Sequence, residues 1–199
     1  MYFPFFLALA YALGSIPFGA VLAHWRAGMD ITKAGSGNIG ATNVLRQAGP
    51  ALGVATLACD MAKGALPVLG AALVLGTDGF LNQTAVALVA LAAFLGHLFP
   101  LYSLFKKGGK GVATAAGCVL VLSPVALACV LVVFAAVVGI FRRVSLGSLI
   151  SAASLAPLVY WQTHSLPYTG AALAVTILVW FKHEANIKRL IAGEESAIF

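Results

Sequence analysis

The sequence predicts an all-α polytopic membrane protein, and three observations lead to that fold class. Of its 199 residues, 61% are hydrophobic and 9% are charged, whereas a soluble globular domain carries about 25% charged residues. The apolar residues lie in long runs separated by short polar connectors. Eleven of the twelve Lys and Arg residues lie in only four of those connectors. No linker is long enough to divide the chain, so we expect a single integral membrane domain over residues 1–199.

The apolar runs predict where the helices lie. They cover residues 2–24, 51–76, 84–105, 111–122, 124–141, 146–163 and 167–181. A helix crosses a hydrocarbon core of about 30 Å with about 20 residues, so most of these runs suffice for one crossing. The first run has no Lys or Arg before it and continues past Pro17. We therefore expect it to be a retained span rather than a cleaved signal peptide.

Residues 111–141 pose the main question of topology, because they can cross once or form two shorter segments. Cytoplasmic connectors of membrane proteins are enriched in Lys and Arg. A single crossing would put Arg142 and Arg143 on the side opposite the other basic connectors, whereas a turn at Ser123-Pro124 keeps all of them together. The sequence thus predicts seven transmembrane helical segments, with the N-terminus outside and the C-terminus cytoplasmic.

Charge and side-chain chemistry restrict the function. The net charge of +6 is spread over short connectors, so we expect no nucleic acid and instead predict contact with membrane lipid headgroups and small anionic substrates. The three cysteines lie inside apolar runs, where we expect them to pack as small side chains. The four histidines are scattered without a carboxylate cluster, so no metal site is expected.

The segment Gly35–Arg46, with the sequence GSGNIGATNVLR, is the most polar stretch near the front of the chain. Its glycines, Gly35, Gly37 and Gly40, allow sharp turns that expose backbone N–H groups. The residues from Ala41 onward can begin a helix, whose N-terminus favours negative charge. The segment therefore predicts an anion-binding site at a membrane surface.

Three further polar segments, residues 106–114, 142–148 and 183–195, fall on the cytoplasmic face in this topology. The first combines Lys106, Lys107 and Lys110 with Gly108 and Gly109, a mixture of point charges and close backbone approach that suits phosphate. It is not a nucleotide P-loop, because the Gly-x4-Gly-Lys-Ser/Thr pattern is absent.

Two pairs of polar residues have helical spacing. Asp60 and Lys63 lie within the second apolar run, three residues apart, so they share one helical face and can neutralise each other. The pair is either functional or a structural ion pair. His183 and Asn186 are also three residues apart, which predicts one shared face of a helix that continues out of the membrane.

These motifs resemble those of a known family. Gly35–Arg46 resembles the first motif of the bacterial membrane acyl-phosphate:glycerol-3-phosphate acyltransferases, the PlsY family. Residues 96–100 (GHLFP) followed by 108–114 (GGKGVAT) resemble the second motif, and residues 183–187 (HEANI) with Arg189-Leu190 and Gly193-Glu194 resemble the third. Residues 60–64 (DMAKG) also fit. The chain has one more lysine than the expected Phe-Lys-Gly-Gly-Lys, so either Lys106 or Lys107 takes the first lysine position.

The resemblance implies an enzyme of the bacterial cytoplasmic (inner) membrane that needs no cofactor. It would transfer a fatty acyl group from acyl phosphate to the 1-hydroxyl of glycerol 3-phosphate, giving lysophosphatidic acid and phosphate, the first acylation step of phospholipid synthesis. A peripheral acyl-phosphate synthase would supply the donor. The catalytic residues implied are Ser36, Arg46, Lys110, His183 and Asn186. The implied substrate- or phosphate-binding residues are Gly35, Gly37, Asn38, Gly40, Thr42, Asn43, Lys106, Lys107, Gly108, Gly109 and Ser145.

The sequence leaves the acceptor of the hydroxyl proton and one alternative function open. The hydroxyl proton can pass to His183 or to a phosphate oxygen of a substrate, with His183 then only orienting the hydroxyl; we favour the second route. No acidic residue follows any histidine by five positions, which excludes the His-x4-Asp mechanism of soluble-type glycerolipid acyltransferases. The alternative function is a small membrane transporter of an organic phosphate or another anion. A non-catalytic assembly subunit would not explain the four polar segments.

Overall fold

The computed structural model describes residues 2–104 and 108–198, which form helices and connecting loops without any strand. The α-helices are α1 (Phe3–Ser15), α2 (Phe18–Ala27), α3 (Ala41–Ala48), α4 (Pro50–Leu75), α5 (Gly79–Leu98), α6 (Val112–Leu122), α7 (Pro124–Phe141), α8 (Val144–Thr163), α9 (Leu166–Lys182) and α10 (Glu184–Ile191). Single 3₁₀ turns lie at Ile31–Lys33 and Leu101–Ser103. The predicted all-α class is confirmed.

Five helical segments of the described chain are long and apolar enough to cross a membrane: Phe3–Ala27, Pro50–Leu75, Gly79–Ser103, Pro124–Phe141 and Val144–Thr163. The first contains both α1 and α2. Two further apolar helices, α6 and α9, are shorter. These elements coincide with the seven apolar runs of the sequence, while the number of crossings and their orientation stay predictions.

Two breaks between helices lie next to prolines, whereas α4 and α8 each continue past an internal proline. Proline has no backbone N–H and clashes with a preceding helical turn, so α1 ends before Ile16-Pro17. Pro124 is the first residue of α7, a position where the missing N–H is harmless. The predicted interruption at Ser123 is therefore confirmed.

The chain forms two compact units, one ending at Val121 and one beginning at Leu122. In the first, α1 packs closely against α5 because glycines lie at the contact. A Cβ at Gly14 would collide with the carbonyl of Ala93, and one at Gly96 with the carbonyl of Tyr11. Small residues allow such helices to approach without losing van der Waals contact. Helix α4 packs against α1, α3 and α5 in the same unit.

In the second unit, α8 packs against both α7 and α9. Polar side chains of α9 bond to the backbone of α8. Thr176 Oγ1 donates to the carbonyl of Ala152 at 2.6 Å, and Trp180 Nε1 donates to the carbonyl of Leu149 at 3.1 Å. These contacts fix α9 and thus the position of His183, which directly follows it. The single-domain organisation over residues 1–199 stays a prediction.

Candidate active site

The segment between α2 and α3 folds around the buried side chain of Asn43, which is 5% exposed. Its Nδ2 donates to the carbonyls of Asn38 at 2.9 Å and Ala34 at 3.0 Å, and its Oδ1 accepts from the backbone N–H of Ser36 at 3.1 Å. Nδ2 also lies 3.4 Å from the carbonyl of Ile31. An amide group with both ends satisfied orders the backbone around it. Asn43 therefore holds the loop closed.

Apolar side chains pack against the buried side of this loop. Ile31, Ile39 and Val44 are buried together with Ala23 of α2. The polar segment thus has a small hydrophobic core of its own. Burial of these side chains holds the loop against α2 and leaves polar groups of the loop at the surface.

The glycines of the loop adopt conformations that other residues rarely adopt. Gly35 has a φ of +56° and Gly37 a φ of +68°, both in the left-handed region. A Cβ at Gly35 would also lie 2.5 Å from Asn43 Oδ1. The N–H of Gly40 donates to Asn38 Oδ1 at 2.9 Å, which closes a turn just before α3. Gly35 and Ser36 are exposed on this ordered loop.

Helix α3 begins at Ala41, which confirms the helix that the sequence predicts from this residue. Thr42 lies in its first turn and is half-buried. Arg46 follows Asn43 by three residues, so the exposed Arg46 side chain lies on the face of α3 that borders the loop. Arg46 is therefore an exposed cation one helical turn from the residue that organises the loop.

The second glycine-rich segment lies directly on the end of α5. The N–H of Gly109 donates to the carbonyl of His97 at 3.1 Å. A Cβ at Gly108 would collide with the carbonyl of Leu98, and one at Gly109 with the His97 ring. Only glycine permits this contact. The next residue, Lys110, is half-buried. The predicted phosphate-binding residues Lys106 and Lys107 lie outside the described residues.

In the second unit, His183 is the junction between α9 and α10. The helix does not continue unbroken out of the membrane as predicted, because His183 leaves the helical geometry, with φ −99° and ψ 9°. Its ring is 2% exposed, and Nδ1 lies 2.8 Å from the carbonyl of Val179. A carbonyl oxygen only accepts, so Nδ1 carries the proton. In the neutral ring Nε2 is then the unprotonated nitrogen.

Asn186 is buried and follows His183 by three residues. Its Nδ2 donates to Glu195 Oε1 at 2.6 Å, and Arg189 Nε donates to Glu195 Oε2 at 2.7 Å. Burial alone would raise the pKa of the Glu195 carboxyl, but hydrogen bonding from Ser145, Asn186 and Arg189 holds it below its usual value. The carboxylate thereby joins α10 to the start of α8.

Two residues of the second unit, Glu195 and Arg143, are functional candidates that the sequence motifs do not indicate. Glu195 positions Asn186, but it lies in an irregular segment where no periodicity indicates a partner. Arg143 directly precedes α8, and its Nη1 is buried without a hydrogen-bond partner among residues 2–104 and 108–198. A buried N–H without an acceptor costs free energy, so this position suits an anion. The sequence signal for Arg143 is its positive charge, which also marks the connector as cytoplasmic in the predicted topology.

Three groups of the predicted residues are thus each organised by one buried polar side chain. Asn43 organises residues 35–46, His97 lies against residues 108–110, and Glu195 joins Ser145 to Asn186. Within the described parts of the chain, no cluster of three or more His, Cys, Asp or Glu side chains is suited to hold a metal ion.

The chain is similar to known glycerol-3-phosphate acyltransferases. The family model described as glycerol-3-phosphate acyltransferase matches residues 4–193. A glycerol-3-phosphate acyltransferase of Syntrophotalea carbinolica is 47% identical over 96% of this chain and 94% of its own length. That of Trichlorobacter lovleyi is 46% identical over 96% and 95%.

Two solved structures of PlsY, an integral membrane glycerol 3-phosphate acyltransferase, have the same fold at 36% sequence identity. The glycerol 3-phosphate form gives a TM-score of 0.93 over 99% of this chain and 96% of that one. The lysophosphatidic acid form gives 0.87 over 99% and 95%. This chain therefore belongs to the glycerol-3-phosphate acyltransferase family of integral membrane enzymes, the family that the sequence motifs resemble.

Proposed function

We propose that this acyltransferase moves a fatty acyl group from acyl phosphate to the 1-hydroxyl of sn-glycerol 3-phosphate. The products are lysophosphatidic acid and inorganic phosphate, and the reaction is the first acylation step of phospholipid synthesis. The observation that carries the proposal is the closed loop around Asn43, which presents exposed Gly35 and Ser36 and is followed by the exposed Arg46 of α3. The related PlsY structures are described as the glycerol 3-phosphate form and the lysophosphatidic acid form, which supports the acceptor and the product.

Phosphate binding is the part of the reaction that the first unit supports. Arg46 supplies a guanidinium group that can bind a phosphate with two parallel hydrogen bonds. Ser36 supplies a hydroxyl donor and Asn38 a side-chain amide on the loop that Gly37 and Gly40 shape, with Thr42 close by at the start of α3. Lys110, after Gly108 and Gly109, supplies a second positive charge. Lys106 and Lys107 belong to the same basic segment of the sequence.

The acyl phosphate donor follows from the chemistry of activation. The hydroxyl oxygen of glycerol 3-phosphate attacks the acyl carbon, a new ester C–O bond forms, and the C–O bond to phosphate breaks. Phosphate is a good leaving group, so the enzyme mainly has to position two anions and stabilise developing charge. No histidine in the chain has the carboxylate spacing that the soluble-type enzymes use. A donor that is already activated suits this residue set.

His183 and Asn186 orient the acceptor in this proposal. With Nδ1 bonded to Val179, the unprotonated Nε2 of His183 can accept a hydrogen bond from the hydroxyl group. The hydroxyl proton passes to a phosphate oxygen of a substrate. Ser145 and the buried guanidinium of Arg143 add donors at the N-terminus of α8, where helix geometry favours negative charge.

The proposed setting is the bacterial cytoplasmic membrane, with seven spans and the N-terminus outside. The four basic connectors then face the cytoplasm, where both phosphates are accessible. A peripheral acyl-phosphate synthase supplies the donor to this face. Cysteine accessibility at the 77–83 connector and the C-terminal tail tests the orientation: labelling of both from the same side would contradict it.

A donor comparison tests the reaction. Purified protein receives glycerol 3-phosphate with fatty acyl phosphate, acyl-carrier-protein thioester or coenzyme A thioester in parallel. We expect lysophosphatidic acid with acyl phosphate alone, and strong loss in Arg46→Gln and Lys110→Gln. The matched control is Asn82→Ala, which removes an exposed amide outside the polar motifs. Equal activity with a thioester would overturn the proposed donor.

A further inference from the structure

A buried ion pair lies inside α4 and has no role in the proposed reaction. Asp60 Oδ1 and Lys63 Nζ are 2.8 Å apart, and both side chains are 2% exposed. Transferring two charges into a protein interior is costly, and well-packed apolar replacements are often as stable or more stable. Stability alone therefore gives little reason for the pair.

Lys63 connects the pair to the break between α1 and α2. Its Nζ donates to the carbonyl of Ile16 at 2.7 Å, across 47 residues of sequence. This carbonyl also accepts from the backbone N–H of Phe18 at 3.0 Å, so the lysine adds a second, charged donor at the break. The ammonium also lies 5.8 Å from the ring centroid of Phe18. The lysine side chain therefore holds the start of α2 against α4.

Asp60 connects the pair to the glycine-rich segment. Its Oδ1 lies 3.8 Å from Nδ1 of His97, beyond hydrogen-bond length, but the carboxylate and the imidazole ring are direct neighbours in a buried site. His97 is 3% exposed, and its ring lies against Gly109. The N–H of Gly109 bonds to the carbonyl of the same histidine. Orientation of this ring therefore determines where the Gly108–Lys110 backbone can lie.

We propose that Asp60 and Lys63 are positioning residues that hold the Gly108–Lys110 segment, through His97, in the geometry that binds a substrate phosphate. The proposal rests on the proposed function, since that assigns phosphate binding to Lys110. The pair acts at two points: Lys63 fixes α4 against the α1–α2 break, and the Asp60 carboxylate orients the imidazole on which Gly109 packs. Neither residue touches substrate.

The primary test replaces the pair with apolar residues, in Asp60→Leu/Lys63→Met. Because no unpaired buried charge remains, we expect thermal stability close to that of the parent. The KM of the substrate whose KM rises in Lys110→Gln should increase about tenfold, with kcat little changed, since small displacements of binding groups have effects of this size. Amide hydrogen exchange should become faster in residues 108–111. Asn82→Ala, which removes an exposed amide from α5, should change none of these.

A second variant covers the case in which the double variant does not fold. His97→Phe keeps the Asp60–Lys63 pair and a planar ring but removes Nδ1. We expect the same rise in KM and the same faster exchange, with partial recovery in His97→Asn, which restores a polar donor near the carboxylate. Asp60→Asn combined with Lys110→Gln should be non-additive, because both act on one segment.

The outcomes separate the two proposals. Parental KM and parental exchange in a folded Asp60→Leu/Lys63→Met protein would show that the pair is only structural and would overturn the positioning role. If the parent transfers no acyl group from acyl phosphate, the proposed function fails instead. Hydrogen exchange still decides the positioning role in that case: faster exchange of residues 108–111 supports it, and unchanged exchange overturns it.

Discussion

Replacing Asn43 by alanine should open the loop that precedes α3 without unfolding the protein. The change removes two donated hydrogen bonds of 2.9 and 3.0 Å and one accepted bond of 3.1 Å. At about 1 kcal/mol net for each bond, the closed loop loses about 3 kcal/mol relative to open conformations. Since 1.4 kcal/mol corresponds to a factor of ten, kcat/KM should fall about a hundredfold.

The assay for Asn43→Ala is phosphate release from acyl phosphate in the presence of glycerol 3-phosphate, together with amide exchange of residues 31–40. Asn43→Asp should be impaired at least as strongly, because it keeps the size but turns the donor into an oxygen that faces carbonyl oxygens. Asn82→Ala removes an exposed amide from α5 and should behave as the parent. A folded Asn43→Ala protein with parental kcat/KM would refute the role of the loop.

Three other variants test the second unit. Arg143→Gln should raise the KM of one substrate about tenfold by removing a charge-assisted phosphate contact, whereas neighbouring Arg142→Gln should not; equal effects in steady-state kinetics would contradict the assignment. His183→Ala should keep residual activity and a near-neutral ionisation in its pH–rate profile, because a phosphate monoester titrates near pH 6 by itself. Loss of that ionisation together with all activity would make His183 the base. Glu195→Gln should lower the melting temperature above pH 4.5, the ordinary pKa of the group, because the lowered folded-state pKa makes the ionised carboxylate stabilising. The parent should lose this advantage as pH falls through the folded-state pKa, so melting curves that differ equally at all pH values would contradict it.

Local patterns in the sequence were sufficient for the helical class and for several boundaries. Apolar run lengths located the membrane helices, and Pro124 marked the start of α7. Ala41 marked the start of α3, because a glycine-rich turn precedes residues with helical propensity. The three-residue spacing of Asp60 and Lys63 predicted an ion pair, which the structure contains. Each of these depends on residues close together in the chain.

Such local patterns do not predict contacts between residues that are far apart in the sequence. The role of Asn43 as the centre of the loop depends on a fold of the backbone that composition does not specify. The bond from Lys63 to Ile16 spans 47 residues, and the one from Asn186 to Glu195 crosses an irregular turn after α10. His183 was expected inside a continuous helix, but its Nδ1 contact to Val179 accompanies a break. Tertiary contacts, not local propensity, determine these positions.

The most direct measurement of the proposed reaction uses purified protein reconstituted in liposomes with fatty acyl phosphate and labelled glycerol 3-phosphate. Lysophosphatidic acid and inorganic phosphate should form in a one-to-one ratio, only when both substrates are present, and with strong loss in Arg46→Gln. Labelled glycerol 3-phosphate that accumulates unchanged inside the liposomes, with neither product formed, would contradict the acyl transfer and identify a transporter.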